Sequence, residues 1–218
     1  KDNTFIDKDS LIDPFEQITY SIHSDSNNQN YDWISIDPIT GTLSGLPLNK
    51  DVGDSFVNLR AADNNGLYAE IPLVFHVGNI NDSPERTSSI PTFDNPISIN
   101  AGEFENISFS EWFTDIDLLV DNNEKLSFTL EIEDDSLGFI SIEEYNLNNL
   151  DSSWVDFDSN KQLVSLFPSA QQLGTQYLKV SATDIFGSIA SALLPVQVNY
   201  VNNKPQINDL SFSRFTSE

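Results

Sequence analysis

The sequence contains no cysteine, and this absence excludes several kinds of chemistry. Without thiols the chain cannot form a disulfide framework, a thiolate metal site or a cysteine nucleophile. The stability of the folded chain must therefore come from core packing or from the binding of hard cations, which prefer oxygen ligands.

Positive charge is scarce as well. Ten Lys and Arg residues face 34 Asp and Glu residues, and the formal net charge is −24. Nucleic acids and anionic membrane surfaces would repel such a chain, so neither is expected as a partner. The acidity has two open interpretations: cation binding, or a solvated surface adapted to solubility and high salt.

Long apolar runs and catalytic motifs are missing too. No run approaches the ~20 apolar residues of a membrane span, so we expect no membrane insertion in this segment. There is no GxSxG, no HExxH and no phosphate-binding loop, and His23 and His76 are the only histidines. We therefore predict that the chain is not an enzyme, although its many paired carboxylates leave glycosidase geometry open.

An internal repeat is the main feature that the sequence does contain. Trp33 matches Trp154 at an offset of 121 residues (154 minus 33). Four further landmark pairs share this offset: Pro47 and Pro168, Asp63 and Asp184, Gly66 and Gly187, and Pro84 and Pro205.

A second motif locates an insertion within the repeat. The stretch "FIDKD", which begins at Phe5, recurs as "FTDID" from Phe113, 108 residues later (113 minus 5). The second copy therefore holds 13 additional residues (121 minus 108), which we place in segment 134–153 and predict to form a longer solvated loop. The predicted domains are residues 1–82, residues 83–203 and the opening strand of a third module at 204–218.

Each copy shows the alternation of apolar and polar residues that is typical of β-strands. Turns rich in Asp, Asn and Gly separate these stretches. The sequence predicts an all-β fold with two tandem immunoglobulin/cadherin-like β-sandwich modules. The predicted strands include residues 17–23 and 55–63 in the first copy, and residues 125–133, 176–184 and 192–200 in the second.

The motifs occur in an order that resembles the dystroglycan-type cadherin-like modules of large bacterial surface and adhesin proteins. In the first copy these motifs are "FIDKD" (5–9), "WISIDPITGTLSGLP" (33–47), "AADNNG" (61–66) and "NINDSP" (79–84). The second copy keeps the same frame with weaker detail. The resemblance implies tandem extracellular modules on a cell surface, with Ca²⁺ bound where modules join.

The resemblance also implies a ligand set at the junction of the two modules: Asn79, Asn81, Asp82, Asp115, Asp117 and Asp184. By the same resemblance, Asp7, Asp9 and Asp63 would form the junction with a preceding module. Ca²⁺ takes ~6–8 oxygen ligands, which these side chains could supply from separate loops. The alternative is that each Asp only caps a turn. The acidic "DRE" motif of cadherins is absent, which suggests fewer ions per junction.

Calcium-stiffened, non-catalytic extender modules of an extracellular surface protein are the function that this sequence favours. One alternative is calcium-dependent binding of a cell-surface glycan, with Trp112 as the candidate stacking residue, since Trp33 and Trp154 occupy positions typical of a core. Another alternative is a filament. The first copy lacks a counterpart of the strands predicted near 96–99 and 106–110. Either the sequence is a window cut from a repeating array, or residues 204–218 of a neighbouring subunit complete the first copy.

Overall fold

The computed structural model of the chain describes residues 5–9, 12, 15–24, 31–148, 154–202 and 204. It divides into two compact units. Unit 1 comprises residues 1–83 together with 115–125, and unit 2 comprises residues 84–114 together with 126–218. The opening strand predicted at 204–218 lies outside the described residues, apart from Lys204. Among the described residues, no helix is both long and apolar enough to cross a membrane.

Unit 1 contains a three-stranded antiparallel sheet and a two-stranded hairpin. The sheet has the order β1–β4–β5, and the hairpin pairs β2 with β3. The strands are β1 (Thr19–Ser24), β2 (Ile34–Ile36), β3 (Leu43–Gly45), β4 (Gly53–Ala62) and β5 (Tyr68–Val77). Short 3-10 turns cover Asn49–Asp51 and Ile116–Leu119.

Unit 2 is built from two larger sheets and a short ribbon. The sheets have the orders β11–β10–β14–β15–β7 and β12–β13–β8, and β6 pairs with β9. All neighbours are antiparallel except β7, which runs parallel to β15. The elements are β6 (Glu85–Arg86), β7 (Ile97–Asn100), β8 (Glu105–Ser108), β9 (Phe113–Thr114), β10 (Ser127–Asp134), β11 (Gly138–Ser141), α1 (Ile142–Asn148), β12 (Val155–Asp158), β13 (Leu163–Leu166), β14 (Gly174–Thr183) and β15 (Ile189–Asn199).

The sequence repeat is reproduced in the structure. Strand β4 and strand β14 begin at Gly53 and Gly174, 121 residues apart, and both glycines have a positive φ, of 110° and 101°. A side chain with a Cβ would be strained at either position. Strand pairing repeats as well, since Thr19 of β1 faces Ala62 while its counterpart in β10 faces the equivalent residue of β14. The predicted all-β sandwich is confirmed.

The core of unit 2 lies between its two sheets. Leu194 and Val180 from the larger sheet and Leu166 from the smaller sheet are completely buried. Phe109 sits among them, stacked on Phe157 with ring centroids 5.2 Å apart. Apolar burial of this kind contributes about 1.5–3 kcal/mol per large side chain, so it dominates the stability of a chain without disulfides.

The insertion in the second copy differs from our prediction. Segment 134–153 was expected to be a solvated loop, but its described part contains strand β11 and helix α1. Ile140 of β11 is buried, and Ile142 and Tyr145 of α1 pack against the core. These three residues pack the insertion against the core of unit 2. The polar composition of the segment therefore led to the wrong prediction of a solvated loop.

Candidate metal centres

Three acidic side chains of unit 1 come together in a set that could hold a cation. Asp7, Glu16 and Asp63 each place one carboxylate oxygen within 4.8 Å of the others, and the described residues contain no other such set of acidic or histidine side chains. Carboxylates this close repel each other by ~1 kcal/mol per pair in water and more where water is partly excluded. A bound cation would remove that repulsion.

Asp9 was predicted as a ligand of this site, but its carboxylate is not part of the set of close oxygens. Its side chain is exposed, and its backbone amide donates a hydrogen bond of 2.9 Å to Oδ1 of Asp7. Asp7, Asp9 and Asp63 line the same pocket, which has a volume of about 270 Å³. The structure therefore groups Asp9 with the predicted residues, while Glu16 supplies the third oxygen of the tight set.

Asp63 and Asp184 both cap turns, as the alternative interpretation of the aspartates predicted. Oδ1 of Asp63 accepts hydrogen bonds from the amides of Asn65 and Leu67, at 2.8 and 2.9 Å. Oδ1 of Asp184 accepts equivalent bonds in unit 2, from the amides of Phe186 and Ser188. A carboxylate has two oxygens with about four acceptor sites, so capping a turn with one of them is compatible with ligating a cation.

The remaining predicted residues of unit 1 are linked through backbone amides. The amide of Asp117 donates to Oδ1 of Asp115 at 2.9 Å, and the amide of Asp82 donates to Oδ2 of Asp117 at 2.7 Å. Asp115 and Asp117 are almost completely buried, with exposed fractions of 2% and 0%. Asn49 Nδ2 donates to Oδ2 of Asp82 at 2.6 Å. The structure thus brings Asp82, Asp115 and Asp117 into one hydrogen-bonded group.

Two of the predicted ligands have a buried side-chain oxygen without a donor. Oδ1 of Asp117 and Oδ1 of Asn79 are buried and accept no hydrogen bond from any described residue. A buried carboxylate oxygen without a donor is costly, because desolvation is not compensated. Carboxylate and amide oxygens are ligands that Ca²⁺ accepts, so this donor set fits a hard cation. Asn81, the other predicted amide ligand, is half-buried in the same linker.

Glu16 and its counterpart Glu124 were not among the predicted site residues. The two are 108 residues apart, in the same register as "FIDKD" and "FTDID", so the repeat itself was the signal that could have identified them. Asp115, Glu124 and Asp184 are the residues of the second copy equivalent to Asp7, Glu16 and Asp63. All three are buried, with exposed fractions of 2%, 6% and 5%.

The tryptophans are structural. Trp112 and Trp154 are 4% and 2% exposed, and Trp112 packs against Phe109 with ring centroids 5.9 Å apart. Trp33 is half-buried and makes an edge-to-face contact with Phe75 at 5.8 Å. The suggestion that Trp112 could stack on a sugar ring is therefore wrong, because the ring is part of the core of unit 2.

The two histidines each contact one neighbouring side chain. His76 Nδ1 lies 2.8 Å from Asp54 Oδ1, since the two residues face each other on β5 and β4. His23 Nε2 lies 2.8 Å from Oγ of Ser21. Strand pairing or spacing of two residues along a strand explains both contacts, which therefore need no catalytic interpretation.

Comparison with known proteins identifies the fold. No protein-family model matches the chain, and no curated protein matches it. Among solved structures, the human desmocollin-1 ectodomain aligns over 90% of this chain and 35% of its own, with a TM-score of 0.51 and 12% identity. The fold is cadherin-like.

Two further structures support this conclusion. Mouse cadherin-23 EC22-24 aligns over 84% of this chain and 53% of its own, with a TM-score of 0.50 and 22% identity. Human CDH23 EC21-23 aligns over 89% and 60%, with a TM-score of 0.50 and 16% identity. The chain thus spans between about a third and three fifths of the length of these structures. Identities this low establish the cadherin-like fold alone.

Proposed function

We propose that this chain consists of calcium-stiffened extender modules of an extracellular surface or adhesin protein of the dystroglycan-type cadherin-like class. In this proposal the modules perform no chemistry, and their partners are neighbouring modules of the same protein. The cadherin-like fold and the strongly acidic composition support it. A glycan is not retained as a partner, because the tryptophan that suggested one is buried.

The observation that carries the proposal is the pair of buried oxygens without donors, Oδ1 of Asn79 and Oδ1 of Asp117. Ca²⁺ would bind these atoms together with the neighbouring carboxylates of Asp82 and Asp115 and the amide of Asn81. The ion would supply the positive charge that this group lacks. Its ligands come from the linker after β5 and from the turn at residues 115–119, so binding would fix these two segments to each other.

Asp184 belongs to the proposed ligand set on the basis of the repeat. Its counterpart Asp63 places an oxygen within 4.8 Å of Asp7 and Glu16. The same logic adds Glu124 to the set, as the counterpart of Glu16. The group of Asp7, Asp9, Glu16 and Asp63 is proposed as a second calcium site, which would join unit 1 to a preceding module.

The donor atoms favour calcium over other divalent metals. Zn²⁺ prefers thiolate and imidazole ligands, and the chain has no cysteine, while His76 pairs with Asp54. Mg²⁺ requires a nearly octahedral shell and retains water molecules. Ca²⁺ accepts six to eight oxygens in flexible geometry, which suits carboxylates and amides from separate loops.

Small-angle scattering combined with calorimetry during a calcium titration tests this function. We expect Ca²⁺ to bind at about 10⁻⁴–10⁻³ M, as in extracellular modules, and to lengthen and stiffen the chain. The double variant Asp115→Asn, Asp117→Asn should lose both responses. Asp37→Asn is the matched control, because Asp37 caps a similar turn through the amides of Ile39 and Thr40 but lies exposed outside both acidic groups.

Two outcomes would contradict the proposal. If neither shape nor heat responds to calcium, the acidic turns have only a structural role. If the double variant and Asp37→Asn respond identically to wild type, calcium binds elsewhere on the acidic surface and the junction residues are not its ligands.

A further inference from the structure

Unit 2 contains a groove that the insertion of the second copy helps to form. The groove lies between strand β10 and helix α1 on one side and strand β12 on the other, and its volume is about 550 Å³. Its lining includes Ile142 and Glu143 of the insertion. A volume of this size is typical of ligand-binding sites. The groove uses none of the residues that are proposed to bind calcium.

The floor of the groove is apolar and largely aromatic. Phe128 of β10 and Phe157 of β12 both contact the buried Phe109, with ring centroids 5.1 and 5.2 Å from that of Phe109, and both remain half-buried. Ile142, at the start of α1, is half-buried as well. A ligand that covers these side chains removes apolar surface from water, which is favourable. The floor therefore favours a ligand with apolar side chains.

The rim of the groove is acidic. Its lining contains the carboxylates of Glu131, Glu143 and Asp156 and no lysine or arginine. Lys179 pairs with Glu131 at 2.6 Å, whereas Lys161, which is attracted to Asp156, pairs with a neighbouring carboxylate instead. Within the described part of the chain, no lysine or arginine forms an ion pair with Glu143 or Asp156, and both are exposed. A positively charged ligand would complement these two carboxylates.

Strand β12 presents an open backbone edge in the groove. The amide of Phe167 donates to the carbonyl of Trp154, so every second residue from Trp154 onward exchanges backbone hydrogen bonds with β13. The amide and carbonyl of Phe157 point the other way and have no partner among the described residues. On the facing wall, β11 pairs only with residues 131–134 of β10, which leaves the edge at residues 128–130 without a described strand beside it. Such edges are templates for a further strand.

We propose that this groove binds an extended segment of a partner protein in which apolar and basic residues alternate. The segment pairs with β12 through the amide and carbonyl of Phe157 and extends the smaller sheet by one strand. Because the side chains of a strand alternate between its two faces, the apolar residues of the segment lie on the aromatic floor and its lysines or arginines lie beside Asp156. Glu143, on the opposite wall, attracts the same positive charges.

The chemistry of the groove favours a separate basic partner over a second copy of this chain. A second copy carries a net charge of −24, so an acidic groove would repel most of its surface. A small organic cation could use the floor and the rim, but it would leave the backbone edge of β12 without a partner. A basic strand uses the floor, the rim and the edge together.

Fluorescence anisotropy with a designed probe tests the proposal. The probe is a short labelled peptide in which valine and lysine alternate, and it should bind the whole chain and slow hydrogen exchange at the amide of Phe157. Chelator is present throughout, so the test is separate from that of the proposed function. Any basic peptide is attracted to a chain with a net charge of −24, so variants of equal net charge must be compared.

Two double variants and a modified probe make this comparison. Glu143→Gln with Asp156→Asn should weaken binding by about three- to tenfold, because two exposed charge pairs are lost. Glu103→Gln with Glu105→Gln removes the same charge from exposed residues beside and within β8, at the opposite edge of the smaller sheet, and should bind like wild type. A probe with methylated backbone amides keeps every side chain and charge but cannot donate to a neighbouring strand, so it should bind about tenfold more weakly.

Several outcomes would overturn the proposal. If the probe binds both double variants equally, only the overall charge of the chain attracts it. If the methylated probe binds as tightly as the original, the groove recognises an apolar cation and not a strand. If the probe does not bind, or protects amides other than that of Phe157, the groove is not its site. Self-association in sedimentation velocity that Glu143→Gln with Asp156→Asn abolishes would instead identify a second copy as the occupant.

Discussion

The backbone amide of Asp82 donates a hydrogen bond of 2.7 Å to Oδ2 of Asp117, 35 residues further along the chain. This bond leaves Oδ1 of Asp117 buried without a donor. One side chain thus carries both a structural contact with the linker and a buried oxygen without a donor. A cation bound at this oxygen would supply the interaction that the folded state lacks.

Asp117→Asn should have opposite effects on stability with and without calcium. In chelator the variant should unfold at the same or a higher temperature than wild type, because the substitution removes a charge from a buried side chain whose Oδ1 has no donor. In calcium at a hundred times its dissociation constant, wild type should gain about 2.7 kcal/mol that the variant lacks. Thermal unfolding of both proteins under both conditions measures this reversal, and a variant that is less stable in chelator would contradict it.

Glu16→Gln should weaken calcium binding although the predicted motif did not include this residue. Glu16 shares the set of close oxygens with Asp7 and Asp63, so removal of its charge should lower the affinity of that site by about tenfold. Glu105→Gln is the control, since Glu105 is an exposed residue of β8. Calorimetry should resolve the difference, and equal affinities for the two variants would remove Glu16 from the site.

The fold was predictable because the alternation of apolar and polar residues along each strand and the internal repeat indicate the same architecture. The predicted strands at 17–23 and 55–63 correspond to β1 and β4, with ends that differ by at most two residues. The alternation of side chains along a strand is a local property, which a sequence shows directly. The insertion was not predictable in the same way, because β11 and α1 have no counterpart among the described residues of the first copy and bury only a few apolar residues.

The candidate site was predictable only in part. Asp7 and Asp63 belong to motifs with strong turn chemistry, so their positions could be inferred from short stretches. Glu16 lies in the segment that leads into β1, and its approach to Asp63 depends on the tertiary path of that segment. The prediction that Trp112 could stack on a sugar ring failed for a related reason. Its neighbour Phe109 directs this segment into the core, and the sequence beside the acidic motif gave no sign of that.

Asp158 should show a lowered pKa that depends on Lys161. The side chain of Lys161 donates to Asp158 at 2.7 Å, which lowers the pKa of the carboxyl from its ordinary value of 3.8. Because the pKa is lower in the folded state, the stabilisation is complete above the unfolded value and is lost as the pH falls through the folded value. Lys161→Ala should therefore raise the pKa of Asp158 and reduce the loss of stability in acid.

Asp37, 121 residues earlier, is the control for this measurement. Hydrogen bonds from the backbone amides of Thr40 and Ile39 lower its pKa, and no lysine is among the causes. Carboxyl titration by NMR should therefore show a shift of Asp158 alone in the Lys161→Ala variant. If Asp158 titrates unchanged, backbone hydrogen bonds rather than the lysine set its pKa.

Equivalent core substitutions should cost more in unit 2 than in unit 1. Leu194→Ala removes a completely buried side chain and should destabilise unit 2 by about 2–5 kcal/mol. Leu73→Ala, at the same position of the repeat, removes a half-buried side chain and should cost less than about half as much in unit 1. Hydrogen exchange of the strand amides of β14 and β4 reports the two units separately. Equal losses would mean that Leu73 is as well packed in unit 1 as Leu194 is in unit 2.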